Sequence, residues 1–334
     1  MTCSCLIGIN IGGRLGNHLS SFSWMIEMSR LTGAVAINPG FGPYKNLFEP
    51  TSSQYVPYWP PTARLSADIF LLLPFLNPRL LWLYHHIRIT RQWRMDEAKP
   101  YLRWLTPVKK HCGFIAFDWL VDGRHACHVD GTTGPLGPTF ACENGEPDFF
   151  SERVQHYIQS KRTVLFDSAA IFPKIPRDSV EAIRRFFVPK RQHRQAAEEW
   201  LGAVGSGADV LVGVAVRQGD FKTWLNGKNY VEPSLFAGVL RKFRDEMPDR
   251  RPLFVICSDD PISADQYPEV NAVSVPRGVM MHLCVLMACD YIVGTAESTF
   301  VQWASFLGNV PWLPVTTKGV DRPIDLGGLE VFGL

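Results

Sequence analysis

The chain has 334 residues, of which 46% are hydrophobic and 20% are charged, and its net charge at pH 7 is +2. This length suggests about two domains with cores of their own, because a domain averages ~150 residues. The composition argues against intrinsic disorder, and so small a net charge excludes a nucleic-acid footprint spread over the whole surface.

The amino terminus predicts a first strand. "MTCSCLIGIN" has no basic region and only a short apolar stretch, so we interpret it as a strand and not as a secretory signal. The chain's 8 cysteines are scattered and do not resemble the dense framework of a small secreted domain. Both features favour a location in the cytoplasm.

The loop "GGRLGN" at 12–17 follows this strand, and its glycines permit a close approach of backbone to a ligand. A plain turn is the alternative. The loop lacks the first glycine of a dinucleotide fingerprint, because Ile11 stands in that position. This argues against a dinucleotide-dependent oxidoreductase.

From residue 1 to about 185 the hydrophobic pattern is irregular. The apolar stretch 67–87 is interrupted by prolines and is too short of uninterrupted apolar residues to span a membrane. Arginines follow it, and a second basic run lies at 184–194. Solvated helix faces and peripheral contact with a membrane surface are both compatible with these patches.

A helix is predicted from about residue 178, after a strand at 163–172. Asp178 or Ser179 would cap the helix, and Val180, Ile183 and Phe187 would share one face. We place a domain boundary near this helix, which gives an N-terminal domain at 1–185 and a C-terminal domain at 186–334.

From about residue 195 the pattern becomes regular. The predicted elements are a helix at 194–204, a strand at 209–216, a helix at 232–247, a strand at 252–258, a helix at 280–289, a strand at 290–295 and a helix at 298–308. Alternating strands and helices with short connections predict a Rossmann-like domain around a parallel sheet. Gly308 is expected as the stop after the last helix.

Polar residues follow three of these strands. They are Arg217 after the first, Ser258, Asp259 and Asp260 after the second, and Ser298 and Thr299 after the third. Parallel strands bind ligands beyond their carboxyl ends. The planar fork of Arg217 suits a phosphate, while an ion pair with Asp220 that only closes the loop is the alternative.

The last predicted helix starts at the same edge of the sheet. Its free N–H groups and positive dipole end would bind a phosphate, although ordinary capping by Ser298 or Thr299 is an alternative. Asp259 and Asp260 could hydrogen-bond a base or ribose, or cap the following helix.

Four motifs together resemble a known family. "GGRLGN" (12–17), "VAVRQGDF" (214–221), "FVICSDD" (254–260) and "HLCVLMACDYIVGTAESTFVQWAS" (282–305) are similar to GGLGNQ, HVRRGDY, FFIFSDD and DLYLMSLCDHFIIANSTFSWWAA. These belong to the inverting α-1,2-fucosyltransferases and, more loosely, to the superfamily with α-1,6- and protein O-fucosyltransferases. The resemblance covers both ends and most of the C-terminal half, in the same order, and is weak from about 45 to 160.

The resemblance implies a GT-B-like α/β fold with two Rossmann-like domains facing a cleft. GDP-fucose would bind mainly to the C-terminal domain and a glycan acceptor to the N-terminal one. The reaction would be inverting and metal-independent, with an α-1,2 linkage and no cofactor besides the donor substrate.

The family motifs also imply site residues. The catalytic set would be Arg217, Asn17 and His18. The donor-binding set would be Gly13, Arg14, Gly16, Asp220, Ser258, Asp259, Asp260, Glu297, Ser298, Thr299 and Phe300. Arg14, Asn17 and His18 are expected near the transferred sugar, across the cleft from Arg217. For the general base, His18 stands beside Asp118, Asp122 and His125 as open alternatives.

The sequence departs from the family motifs at several positions. Ala215 replaces a histidine, Gln218 the second arginine, Glu297 an asparagine and His282 an aspartate. These changes leave open a catalytically impaired protein that binds a GDP-sugar or a glycan, and a transferase that uses another GDP-sugar. Histidines and cysteines at 111–142 fit no zinc-site spacing, so no metal site is predicted.

Overall fold

The computed structural model describes residues 5–8, 14–50, 55–56, 113–119, 125–129, 139–140, 150–161, 163–168, 175–320 and 323–333. Gly13, Asp122, the apolar stretch 67–87 and the arginines after it lie outside these residues.

The described strands and helices follow in chain order. The strands are β1 (Cys5–Gly8), β2 (Val35–Ile37), β3 (Tyr55–Val56), β4 (Gly113–Trp119), β5 (His125–Val129), β6 (Thr139–Phe140), β7 (Thr163–Ser168), β8 (Val210–Val216), β9 (Pro252–Ser258), β10 (Ala272–Ser274), β11 (Tyr291–Thr295) and β12 (Trp312–Val315). The helices are α1 (Leu15–Thr32), α2 (Glu152–Ser160), α3 (Val180–Phe186), α4 (Arg191–Val204), α5 (Pro233–Asp245), α6 (Val279–Met287) and α7 (Thr299–Gly308).

The chain divides into two compact units. The first comprises residues 1–45 and 50–179, and the second comprises residues 46–49 and 180–334. The sheet of the first unit has the strand order β3-β2-β1-β7-β4-β5-β6 and is parallel, except that β5 runs antiparallel to both its neighbours. The sheet of the second unit has the order β10-β9-β8-β11-β12 and is parallel throughout.

Helix α1 is the main core helix of the first unit. It buries residues on almost every side, and Trp24 stacks on Phe166 of β7 with ring centroids 4.0 Å apart. A helix enclosed in this way has no polar face. Gly16, Asn17 and His18 lie in its first turn, so the predicted glycine-rich loop gives way to helix from Leu15 onward.

Helices cover both faces of the second sheet. The alternate valines of β8 point towards α5, where Phe236, Leu240 and Phe243 belong to the same buried cluster. On the opposite face, a Cβ added to Gly213 would lie 2.7 Å from Leu286 of α6. Strand β8 is therefore enclosed on both sides, which explains its continuous apolar sequence.

The sequence-based boundaries differ from the structure in a few places. Helix α4 begins at Arg191 instead of 194, while the predicted strand at 163–172 is described as β7 as far as Ser168, and residues 169–172 lie outside the described residues. The expected stop at Gly308 is wrong, because Gly308 is the last residue of α7 and Asn309 takes the left-handed conformation with a φ of 55°. None of the described helices combines the length and the hydropathy needed to cross a membrane.

Gly308 is needed for close packing and not for its backbone freedom. A Cβ at this position would lie 2.6 Å from the Cα of Met287 and 2.7 Å from its carbonyl oxygen. Both are backbone atoms at the end of α6, so they cannot give way as a flexible side chain would. Helices α6 and α7 therefore approach each other only because residue 308 has no side chain.

We expect Gly308→Ala to lower the free energy of unfolding by about 1–3 kcal/mol through overpacking. The matched control is Gly238→Ala in the interior of α5, where a Cβ would meet nothing within 4 Å. That change should raise stability by up to ~1 kcal/mol, because alanine favours helix over glycine. Urea denaturation of both variants measures the difference, and equal stabilities would contradict the packing constraint.

Candidate functional site

The polar residues predicted at three strand ends come together in the second unit. Val216 of β8 is paired with Ser258 of β9, and Ala215 of β8 with Gly294 of β11. The loops that follow β8, β9 and β11 therefore leave the sheet side by side. We call these strand ends and the loops after them the carboxyl edge.

Arg217 follows β8 directly and lies between two carboxylates. Its Nη2 is 2.7 Å from Asp220 Oδ1, and its Nη1 is 2.9 Å from Asp259 Oδ2. The guanidinium carbon also lies 5.2 Å from the centre of the Phe221 ring. The ion pair with Asp220 that the sequence left open is present, and a second ion pair, with Asp259, adds to it.

Asp259 joins the ends of two strands. Its Oδ1 accepts a hydrogen bond from the backbone N–H of Gln218 at 2.8 Å, while Oδ2 binds Arg217. On the other side, the Oγ1 of Thr295 accepts a hydrogen bond from the backbone N–H of Arg217 at 3.2 Å. The backbone after β8 is thus fixed by β9 and β11 together.

Gln218 faces the interior, unlike a phosphate ligand. The residue is 3% exposed; its Nε2 donates to the carbonyl oxygen of Val231 at 3.0 Å, and its Oε1 accepts from the Tyr230 hydroxyl at 2.8 Å. These bonds hold the two 3-10 turns at 219–222 and 224–227 between β8 and α5. Gln218 therefore shapes the loop that carries Asp220 and does not add a second cation.

A second cation comes instead from Lys222, which sequence reasoning missed. Its Nζ lies 2.9 Å from Asp260 Oδ2, and this hydrogen bond raises the pKa of the Lys222 ammonium above its usual value. The backbone N–H of Asp260 donates to Ser258 Oγ at 3.3 Å. The only sequence signal for Lys222 was its position five residues after Arg217.

Helix α7 begins at this edge with Thr299, two residues after Glu297. Ser298 is its N-cap residue, and its carbonyl oxygen accepts hydrogen bonds from the N–H groups of Val301 and Gln302. The Ser298 side chain makes no capping hydrogen bond, and the Glu297 side chain is exposed. Thr299 and Phe300 are half-buried in the first turn.

His282 lies in α6, where the family motif has an aspartate. Burial lowers the pKa of its imidazole below 6.5, and this effect exceeds the opposing influence of nearby carbonyl groups and of Asp259. Its Nε2 is buried and has no hydrogen-bond partner among the described residues. Burial therefore favours the neutral form of this imidazole.

The candidate residues of the first unit gather at the start of α1. Arg14 is the exposed N-cap residue, and the ring of the buried His18 lies 5.1 Å from that of Tyr44. Burial raises the pKa of the Tyr44 hydroxyl, while the positive charge of Arg14 lowers it less strongly. Arg14, His18 and Tyr44 thus form one cluster, and Tyr44 was not among the predicted residues.

Two further general-base candidates, Asp118 and His125, lie on neighbouring strands. Asp118 of β4 is opposite Ala126 of β5, and Trp119 is opposite His125. Within the part of the chain that the structure describes, no three histidine, cysteine, aspartate or glutamate side chains come together as a metal site.

No family model and no curated protein matches the sequence. Solved structures do: a mutant of Arabidopsis thaliana FUT1 in complex with GDP is 14% identical, over 94% of this chain and 70% of its own, with a TM-score of 0.54. NodZ α-1,6-fucosyltransferase soaked with GDP-fucose is 14% identical, over 96% of this chain and 97% of its own, with a TM-score of 0.51. NodZ co-crystallised with GDP gives the same identity and TM-score over 94% and 95%.

At 14% sequence identity, the structural similarity to these proteins establishes the fold only. The predicted fold class, α/β and GT-B-like with two Rossmann-like domains, is confirmed by the two sheets and by these structures.

Two tyrosines, the half-buried Tyr230 and the buried Tyr267, allow a test of the Gln218 contacts. Tyr230→Phe removes the hydroxyl that donates to Gln218 Oε1, so we expect a loss of about 1–2 kcal/mol of stability. Tyr267→Phe is the control, because the buried Tyr267 hydroxyl has no hydrogen-bond partner among the described residues. That change should be neutral or stabilising.

Alkaline pH separates the same two variants further. Burial raises the pKa of Tyr267 to about 12, from an ordinary value of 10.0. Between these two values the unfolded chain loses a proton that the folded chain keeps, so stability falls as pH rises. Tyr267→Phe should flatten that fall in denaturation curves measured from pH 9 to 11, and an unchanged slope would count against the burial of this hydroxyl.

Proposed function

We propose that this protein transfers L-fucose from GDP-fucose to a hydroxyl group of a glycan. The observation that carries the proposal is the fixed guanidinium of Arg217 at the carboxyl ends of parallel strands, beside the start of α7. The fold likeness to structures that contain GDP and GDP-fucose supports it. We further propose an α-1,2 linkage with inversion, from the sequence motifs.

Each part of the donor has a candidate partner at the carboxyl edge. The leaving diphosphate would bind the Arg217 guanidinium and the first N–H groups of α7, at Thr299 and Phe300 after the N-cap residue Ser298, because both present positive charge to an anion. Ser258, Asp259 and Asp260 are our candidates for the ribose and base, with Glu297 for a hydroxyl group. Asp220 belongs to the same edge through its ion pair with Arg217.

The chemical step places negative charge on the β-phosphate as the glycosidic bond breaks. A guanidinium that is already oriented stabilises this charge without further reorganisation, which is the largest contribution that a fixed donor makes. Arg217, Lys222 and the helix terminus supply positive charge from the chain itself. We therefore propose that the reaction does not depend on a divalent metal ion.

The acceptor side is assigned to the first unit. We propose that Gly13, Arg14, Gly16, Asn17 and His18 contact or position the transferred sugar. The burial of His18 against Tyr44 supports a positioning role for this imidazole, and Asp118, Asp122 and His125 remain the other candidates for the base. The proposed domains are 1–185 for the acceptor and 186–334 for the donor.

Transfer assays with a panel of GDP-sugars and glycans test the function. We expect fucose transfer from GDP-fucose in the presence of EDTA, detected by mass spectrometry of the glycan, and no transfer from UDP-sugars. Binding of GDP in calorimetry without transfer would favour a non-catalytic GDP-sugar-binding protein. This is the second candidate function, because Gln218 turns inward and adds no second guanidinium at the edge. Binding that EDTA abolishes would contradict the metal-independent proposal.

Arg217→Ala should lower the transfer rate roughly 10²-fold or more, as expected for loss of one preorganised donor. It should also cost about 2 kcal/mol of stability, because Asp259 loses an ion-pair partner at a side chain only 17% exposed. The ion pair with Asp259 is the main reason for this expected loss of stability.

Arg251→Ala is the matched control for this prediction. It breaks an arginine–aspartate pair with Asp209 at the opposite ends of β8 and β9, where the Nη2–Oδ1 distance is 2.9 Å. The transfer rate should not change. A full rate in Arg217→Ala with a large loss of stability would show that Arg217 only closes the loop.

A further inference from the structure

The two carboxylates on Arg217 differ in their surroundings. The Asp259 side chain is 17% exposed and also accepts the N–H of Gln218, whereas the Asp220 side chain is 49% exposed and sits on a single 3-10 turn. We propose that Asp220 occupies the place of a ligand phosphate oxygen on Arg217 and limits the affinity of the carboxyl edge for diphosphates by competing for it. The identity of the ligand rests on the proposed function.

The geometry of the pair supports this exchange. Asp220 Oδ1 lies 2.7 Å from Nη2, which is the distance that a phosphate oxygen also takes on a guanidinium. Because the Asp220 side chain is half-exposed, it can turn away from Arg217 at little cost in free energy, since exposed ion pairs contribute little to stability. Asp259 is more buried and would lose two hydrogen-bond donors, the Arg217 guanidinium and the Gln218 N–H. Its ion pair with Arg217 therefore stays in place.

Arg217 keeps its orientation when Asp220 leaves. Asp259 still holds Nη1, the Phe221 ring still lies under the guanidinium, and Thr295 still accepts the backbone N–H. The Nη2 is then the group presented to an incoming anion. The arginine therefore requires no rearrangement of its own to change partners.

The charge balance gives the direction of the effect. In the ion-paired group at this edge, Arg217 and Lys222 contact Asp220, Asp259 and Asp260, so two cations meet three carboxylates and the charge of this group is −1. A diphosphate brings further negative charge, and the carboxylate of Asp220 repels it at short range. When Asp220 returns to Arg217, it helps to displace the product. Asp220 therefore lowers the affinity for the diphosphate and speeds its dissociation.

The experiment compares Asp220→Asn with wild type by calorimetry in EDTA, using GDP, inorganic pyrophosphate and guanosine. We expect GDP and pyrophosphate to bind about 5-fold more tightly to the variant, on the scale of an exposed ion pair. Guanosine, which has no phosphate, should bind unchanged. Asp220→Glu keeps the charge and should show no gain in affinity for GDP or pyrophosphate.

Asp209→Asn is the matched control, since Asp209 is 40% exposed and also pairs with an arginine at 2.9 Å. It lies at the other end of the seven-residue strand β8, about 23 Å away, well beyond the Debye length. Its affinity for all three probes should equal that of wild type. A gain there as large as in Asp220→Asn would mean that net charge alone is responsible, and would overturn the proposal.

Turnover gives a second readout. If GDP release is slowed, Asp220→Asn should show stronger product inhibition by GDP together with a lower KM for the donor. Unchanged or weaker GDP and pyrophosphate binding by the folded variant would overturn the role of Asp220. Asp220→Ser carries the same test if the asparagine variant does not fold.

The outcome also separates this inference from the proposed function. Wild type that transfers fucose while Asp220→Asn binds GDP no more tightly would leave the function and remove the inference. If Asp220→Asn binds pyrophosphate more tightly but the protein neither binds nor uses GDP-fucose, the inference would stand and the proposed function would fail. Absence of anion binding by every variant would remove both.

Discussion

The carboxylate of Asp259 is the group on which the carboxyl edge depends. A carboxylate that is largely removed from water must recover its solvation from N–H donors, and Asp259 takes them from the Arg217 side chain and the Gln218 backbone. Both donors belong to the residues directly after β8, while Asp259 follows β9. The two strands must therefore end together for the charge to be tolerated, and Thr295 extends the same constraint to β11.

The ion pairs of this edge are formed within the chain itself. The two cations Arg217 and Lys222 each have a carboxylate partner within 2.9 Å, so both positive charges are already paired within the protein. A ligand must exchange partners with the protein, and the free energy that it gains is the difference between two ion pairs. In the proposed reaction, such an edge would provide an arginine whose orientation is fixed before charge develops in the transition state, and it would not provide tight ground-state binding.

The central part of the second unit could be predicted from the sequence because its physics is local. Strands β8, β9 and β11 are enclosed on both faces and so read as continuous apolar runs, and each ends where polar residues begin. Helix α1 lacks such a signal, because Ser20 and Ser21 are buried by hydrogen bonds to carbonyl oxygens four residues earlier and interrupt the apolar pattern. Strands β10 and β12 are short and lie at the sheet edges, where local pattern is weakest.

The site residues divide in the same way. The position of Arg217 at a strand end follows from its own neighbourhood, but its hydrogen bond to Thr295 spans 78 residues and has no local signature. The inward turn of Gln218 depends on Tyr230 and Val231 in the same manner. Sequence reasoning therefore found Arg217, Asp259 and Asp260 at the edge, but it missed Lys222, Thr295 and the inward turn of Gln218.

The inward turn of Gln218 changes what the edge can do for a diphosphate. With that side chain fully engaged in the loop, the second positive charge is the ammonium of Lys222, which is 48% exposed and carried on a flexible stem. An ammonium attracts an anion from any direction, whereas a guanidinium held at two nitrogens donates hydrogen bonds to oxygen atoms in its own plane. In the proposed reaction, Lys222 would therefore act mainly on encounter and binding. The stabilisation of the leaving group would depend on the single guanidinium that Asp259 holds in place.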